Sequence, residues 1–167
     1  TLLTADRGIG AVTVTNLAAG AEFSMIGNGT IANGATAIGY VAAATDATLN
    51  ITNGTTAGAN VITGTGILSQ VVNSTGAANT TGALTGAATA TSTTINATTK
   101  LTTAALTNAG ATLTITGDGA VSFGATALES GVTTLNASAN SGGITVALGT
   151  LVSQAVTGSS GNDTITS

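Results

Sequence analysis

A chain of 167 residues that is 43% hydrophobic but only 2% aromatic can build one core only if that core is thin and filled by Val, Ile, Leu and Ala. Charged residues are 5% and the net charge is −4, so Arg7 and Lys100, the two basic residues, cannot form the basic surface that nucleic acid requires. Thr, Asn or Gly interrupts every apolar run short of about 18 residues, so no membrane span is read.

In chain order, the predicted strands begin with AVTVT (11–15) and ATLNIT (47–52), where apolar residues alternate with Thr or Asn. Val12 and Val14 then share one face. Between them the Asn28-Gly29, Asn33-Gly34 and Asn53-Gly54 pairs offer the positive φ of tight turns. Residues 73–110 are poor in large apolar side chains and resemble a linker in composition; they are read as ordered, with weak strands around Thr93–Asn96 and Leu101–Leu106. Stronger strands follow in ATLTIT (111–116), AVSF (120–123), GITVAL (143–148) and DTIT (163–166). The turns Gly117-Asp118-Gly119 and Ser141-Gly142-Gly143 lie between them. Gly interrupts nearly every window, so helix is not expected.

These elements predict an all-β chain with two regions, a Thr/Ala/Gly-rich β region over 1–110 and a solenoid-like region over 111–167. Two architectures compete. A β-sandwich meets over bulky residues, whereas a β-solenoid fills a narrow interior with small rungs and lets each coil satisfy its neighbour's backbone. Scarcity of bulk favours the solenoid, although no strict repeat is visible. Without cysteine, rigidity cannot come from disulfides. The chain opens TLLTADRG, with neither Met nor a signal-like apolar core, and is expected to be a processed form or a segment of a longer protein.

The stretches TLTITGDGAVSFGATAL (112–128), GVTTLNASANSGGITVAL (131–148) and VTGSSGNDTIT (156–166) resemble the β-solenoid segments of very large bacterial surface-layer and RTX-type secreted proteins. Over residues 1–110 the resemblance rests on composition. It implies an extracellular or cell-surface setting and a calcium-binding nonapeptide, GGxGxDxUx, whose carbonyls and aspartate share an ion between turns. The match runs Gly158, Ser159, Ser160, Gly161, Asn162, Asp163, Thr164, Ile165, Thr166, with Ser159 in place of the second glycine. Asp163, with Gly158, Gly161 and Asn162, is therefore the candidate metal site. Calcium takes 6–8 oxygens, more than one such copy supplies. The competing reading makes Asp163 an Asx cap of its turn, and Asp118 a solvated turn carboxylate.

Catalysis has little to work with: no His, no Cys and no phosphate-binding loop. The six acids, Asp6, Glu22, Asp46, Asp118, Glu129 and Asp163, include no pair at alternate positions of a strand, and the chain is read as not an enzyme. Asn-x-Ser/Thr triplets at Asn28, Asn50, Asn53, Asn73, Asn79, Asn96, Asn136 and Asn162 are mostly what an Asn- and Thr-rich chain produces by chance. Thr-x-Thr triplets such as Thr13-Val14-Thr15, Thr114-Ile115-Thr116 and Thr164-Ile165-Thr166 would bind ice only if stacked in register, and their spacing is irregular. The expectation is a structural protein that assembles with itself into a surface layer or filament, with cell-surface polysaccharide as a further partner. An adhesin stalk or binding module is the alternative.

Overall fold

A computed structural model of the chain describes residues 2–6, 10–30, 32–129, 131–150 and 153–167. The first coil contributes β1 (Leu2–Asp6) and β2 (Val12–Leu17). Three strands per coil follow: β3 (Glu22–Ile26), β4 (Ala32–Asn33) and β5 (Thr36–Tyr40), then β6 (Asp46–Thr52), β7 (Thr56–Ala57) and β8 (Asn60–Thr63). Next come β9 (Ser69–Thr75), β10 (Asn79–Thr81) and β11 (Leu84–Thr85), then β12 (Ser92–Ala97), β13 (Leu101–Thr103) and β14 (Leu106–Thr107). The last coils keep two strands each: β15 (Thr112–Gly117) and β16 (Val121–Ser122), β17 (Thr134–Asn140) and β18 (Ile144–Ala147), β19 (Ala155–Thr157) and β20 (Thr164–Thr166).

The strands stack in parallel into three sheets. An 8-stranded sheet runs β1-β3-β6-β9-β12-β15-β17-β19, a 7-stranded sheet β20-β18-β16-β13-β10-β7-β4, and a 5-stranded sheet β14-β11-β8-β5-β2. The architecture is a parallel β-solenoid of about 7 turns, and the β-sandwich alternative falls away. Two of the three sheets continue across residue 110, through the β12–β15 and β13–β16 pairs, whereas the 5-stranded sheet ends at β14. The stretch over 73–110 that resembles a linker supplies a complete coil and part of another. None of the described residues forms a helix long and apolar enough to cross a membrane.

Alternation in each strand follows from enclosure on one side only. In the 8-stranded sheet, Phe23, Leu49, Val72, Ile95 and Ile115 form one inward column, each in register with the next. All are buried, and each is worth roughly 1.5–3 kcal/mol of transfer free energy relative to exposure. Across the interior, Leu101, Val121 and Ile144 stack from the 7-stranded sheet. Where the 5-stranded sheet stops, Phe123, Leu128 and Val132 fill the third side. The single tyrosine, Tyr40, is buried; its hydroxyl donates to the carbonyls of Ala21 (3.1 Å) and Thr48 (3.3 Å) and accepts from Thr48 N at 3.1 Å. Burial pushes its pKa up, against the lowering effect of the Thr48 hydrogen bond.

The repeat is regular in space and irregular in sequence. Register partners Glu22, Thr48, Val71, Thr94 and Thr114 are separated by steps of 26, 23, 23 and 20 residues. The corners absorb the difference, so strand positions stay stacked. At one such corner Gln70 reaches through the interior: its Nε2 donates to Thr93 Oγ1 (2.8 Å) and Asn108 O (2.7 Å), and its Oε1 accepts from Ala87 N (3.1 Å). Gly86 leaves the passage open, since a Cβ there would stand 2.0 Å from Gln70 Nε2 and 2.5 Å from the Asn108 carbonyl.

Candidate functional site

Asp163 sits just before β20, in register with Ile144 of the coil below. Its Oδ1 accepts from Ile144 N (2.9 Å) and from Ser159 Oγ (2.5 Å), and its Oδ2 accepts from Ser159 N (2.8 Å). Burial acts to raise its pKa, but the hydrogen bonds from the Ser159 hydroxyl, Ile144 N and Ser159 N outweigh it and hold the carboxyl below its ordinary value. Ser159, the residue that departs from the nonapeptide, is thus the one that clasps the carboxylate. Gly158 and Gly161 permit close approach: a Cβ on the first would lie 2.5 Å from Asp163 Oδ2, and on the second 2.5 Å from the Ser141 carbonyl. Asn162 is exposed.

The same work is done by an amide elsewhere. Asn79, the first residue of β10, occupies the equivalent register position, and its Oδ1 accepts from Thr55 N of the coil below at 2.8 Å. Its Nδ2 donates to Ile51 O (3.1 Å), Ser74 Oγ (2.9 Å) and Thr75 O (3.2 Å). Asn140 closes a neighbouring corner, donating to Gly117 O and Gly119 O and accepting from Gly143 N at 3.0 Å. Asp163 therefore belongs to a set of corner caps. Its donor set does not fit a calcium centre on its own: one carboxylate faces N–H and O–H donors, while calcium takes several anionic or carbonyl oxygens. Among the described residues no three of His, Cys, Asp and Glu come together.

The other acids are dispersed. Asp118 accepts from Ser141 Oγ at 2.7 Å on an exposed turn, and Glu129 from Ala109 N at 2.5 Å. Asp46 accepts from Thr45 Oγ1 at 2.8 Å, and Glu22 from Asn50 Nδ2 at 2.8 Å. The side chain of Asp6 and the whole of Arg7 lie outside the described residues. A shallow groove of about 250 Å³ runs past Thr63, Thr65, Thr85, Thr89 and Asn108. Thr63, Thr89 and Asn108 already spend their donors on backbone carbonyls.

The outer surface of the 8-stranded sheet carries a different arrangement. Asn50, Asn73, Asn96 and Thr116 stand in register and bond in series: Thr116 Oγ1 donates to Asn96 Oδ1 (2.7 Å), Asn96 Nδ2 to Asn73 Oδ1 (2.9 Å), and Asn73 Nδ2 to Asn50 Oδ1 (2.7 Å). Asn50 then donates to Glu22. Beside this ladder runs a column of Thr48, Val71, Thr94, Thr114 and Asn136, and beyond it one of Ser69, Ser92, Thr112 and Thr134. A single column of Thr56, Thr80, Thr102, Ser122, Thr145 and Thr164 lines the 7-stranded sheet. Of the sequons, Asn79 is buried, and Asn50, Asn73 and Asn96 are engaged in the ladder. The ladder escaped sequence reading because its members are 23 or 20 residues apart, and nothing local marks them as neighbours. Compared with family models, curated proteins and solved structures, the chain matches none.

Proposed function

We propose that the chain is a structural, self-assembling extracellular protein, a subunit of a surface layer or filament of the kind that its Thr/Ala/Gly-rich stretches resemble. The observation that carries this reading is the run of uncharged outward columns, continuous from coil to coil on two sheets. Rods with such flanks approach side by side without repulsion, and small side chains permit close contact. The parallel stack also suits an adhesin stalk, in which the solenoid is a spacer and the binding tip lies elsewhere. Cell-surface polysaccharide is the partner proposed for anchoring in either case.

Electron microscopy of the purified chain, with and without a chelator, separates the two. Ordered sheets or filaments are expected for the structural subunit. A monodisperse particle in both conditions would overturn that reading and leave the stalk.

A further inference from the structure

Threonine hydroxyls in this solenoid fall into two groups. At corners and inside, they are spent: Thr89 donates to Ile67 O, Thr93 to Ala109 O, Thr103 to Gly82 O and Thr98 to Ser74 O. On the outer surface of the 8-stranded sheet, Thr48, Thr94 and Thr114 of one column make no side-chain hydrogen bond among the described residues. Neither do Ser69, Ser92, Thr112 and Thr134 of the next. These unspent hydroxyls are in strict register from coil to coil.

Strand geometry sets their spacing. Adjacent coils lie about 4.8 Å apart, and alternate residues along one strand about 6.7 Å apart. The result is a two-dimensional grid of hydroxyls, with methyl groups between them. It is continuous through Ser69, Ser92, Thr112 and Thr134 and interrupted once, at Val71, in the column of Thr48, Thr94 and Thr114. The asparagine ladder pins one margin of the grid and holds the coil spacing fixed. The columns running from Ser69 to Thr134 and from Thr48 to Thr114 carry no charged residue; Asp46 and Glu22 stand in register at one end of them. Large apolar or aromatic anchors, which dominate the centres of protein interfaces, are also missing from these columns, where Val71 is the largest hydrocarbon. A surface that is rigid, uncharged, periodic and rich in unspent donors suits a ligand that is itself a periodic array of hydrogen-bonding oxygens.

We infer that the outer surface of the 8-stranded sheet binds ice. The hydroxyl columns and intervening methyl groups order a first layer of water in the grid's spacing, and that layer merges with the growing crystal. The Thr-x-Thr units visible in the sequence do not by themselves build this face: Thr114-Ile115-Thr116 lies on its sheet, but Thr13-Val14-Thr15 and Thr164-Ile165-Thr166 lie on the other two. It is built by register between coils, which the corners preserve despite unequal spacing.

Partition into a slowly growing ice hemisphere tests it, with thermal hysteresis as the second readout. The unmodified chain is expected to be enriched in ice over a co-dissolved inert protein and to shape the crystals. Thr94→Lys and Thr114→Lys should each lose most of that enrichment, whereas Thr102→Lys, on the 7-stranded sheet, should keep it. Circular dichroism of each variant verifies the fold, and Thr94→Val, which keeps the side chain's branched shape and removes its hydroxyl, should likewise lower the enrichment where the lysine variants misfold. Exclusion of the unmodified chain from ice overturns the proposal, as does equal loss in Thr102→Lys. If the Thr94 and Thr114 variants instead abolish association in unfrozen solution and leave ice uptake intact, the face is an interface between copies. Failure to form sheets or filaments bears only on the assembly reading.

Discussion

At the residue scale, the Asp163 carboxylate closes the N–H of Ile144 in the coil below, as the Asn79 amide closes that of Thr55. Because the folded pKa of Asp163 lies below its unfolded value, its contribution to stability is complete above the unfolded pKa. That contribution is lost as the pH falls through the folded value. The protection factor of the Ile144 amide should therefore hold down to about pH 4 and drop in stronger acid. Asp163→Asn should keep the protection and remove its acid dependence, since an amide oxygen accepts equally well at either pH. Millimolar calcium should leave that amide's exchange unchanged. Ser159 was legible as a departure from the motif, but not as the donor to the carboxylate, because that depends on the turn's conformation.

At the scale of strands, the asparagine ladder ties four coils through hydrogen bonds that each asparagine both gives and receives, with Thr116 donating at one end. Asn73 donates to Asn50 and accepts from Asn96. Asn73→Ala should cost about 1 kcal/mol for the lost bonds on a half-exposed face. Asn73→Asp should cost more at neutral pH, where its carboxylate cannot donate and must face the Asn50 oxygen. In acid the protonated carboxyl donates again, so the gap between Asn73→Asp and the unmodified chain should narrow. Thermal melts of both proteins at pH 7 and at about pH 3 measure this. Strand positions themselves were readable: AVTVT, ATLNIT, ATLTIT, GITVAL and DTIT alternate as required, and β2, β6, β15, β18 and β20 lie on them. Short strands such as β4, β7, β11 and β14, of two residues each, carry no periodicity of their own. Their existence depends on the coils above and below.

At the scale of the whole molecule, stability should depend on position along the stack, because each coil packs only on its neighbours. Ile95 is fully buried between Val72 and Ile115, so Ile95→Ala damages contacts with two coils and should cost about 3 kcal/mol. Val156 is partly buried beside Leu135, and Val156→Ala should cost about 1 kcal/mol. Urea unfolding of the two variants gives the comparison. Scarcity of aromatics and an absence of helix signals were enough to favour a solenoid. The coil length was not readable, since steps between 20 and 26 residues blur any fixed period and one side of the prism is built by loops after β14.

The asparagine ladder has a direction. An ionised carboxylate can only accept, so Glu22 obliges Asn50 to donate toward it, Asn50 then obliges Asn73, and the orientation passes to Asn96 and Thr116. Every amide dipole in the series points the same way. The rod thus has a head and a tail written on its flank, and a neighbouring rod lying parallel meets a different pattern of donors from one lying antiparallel.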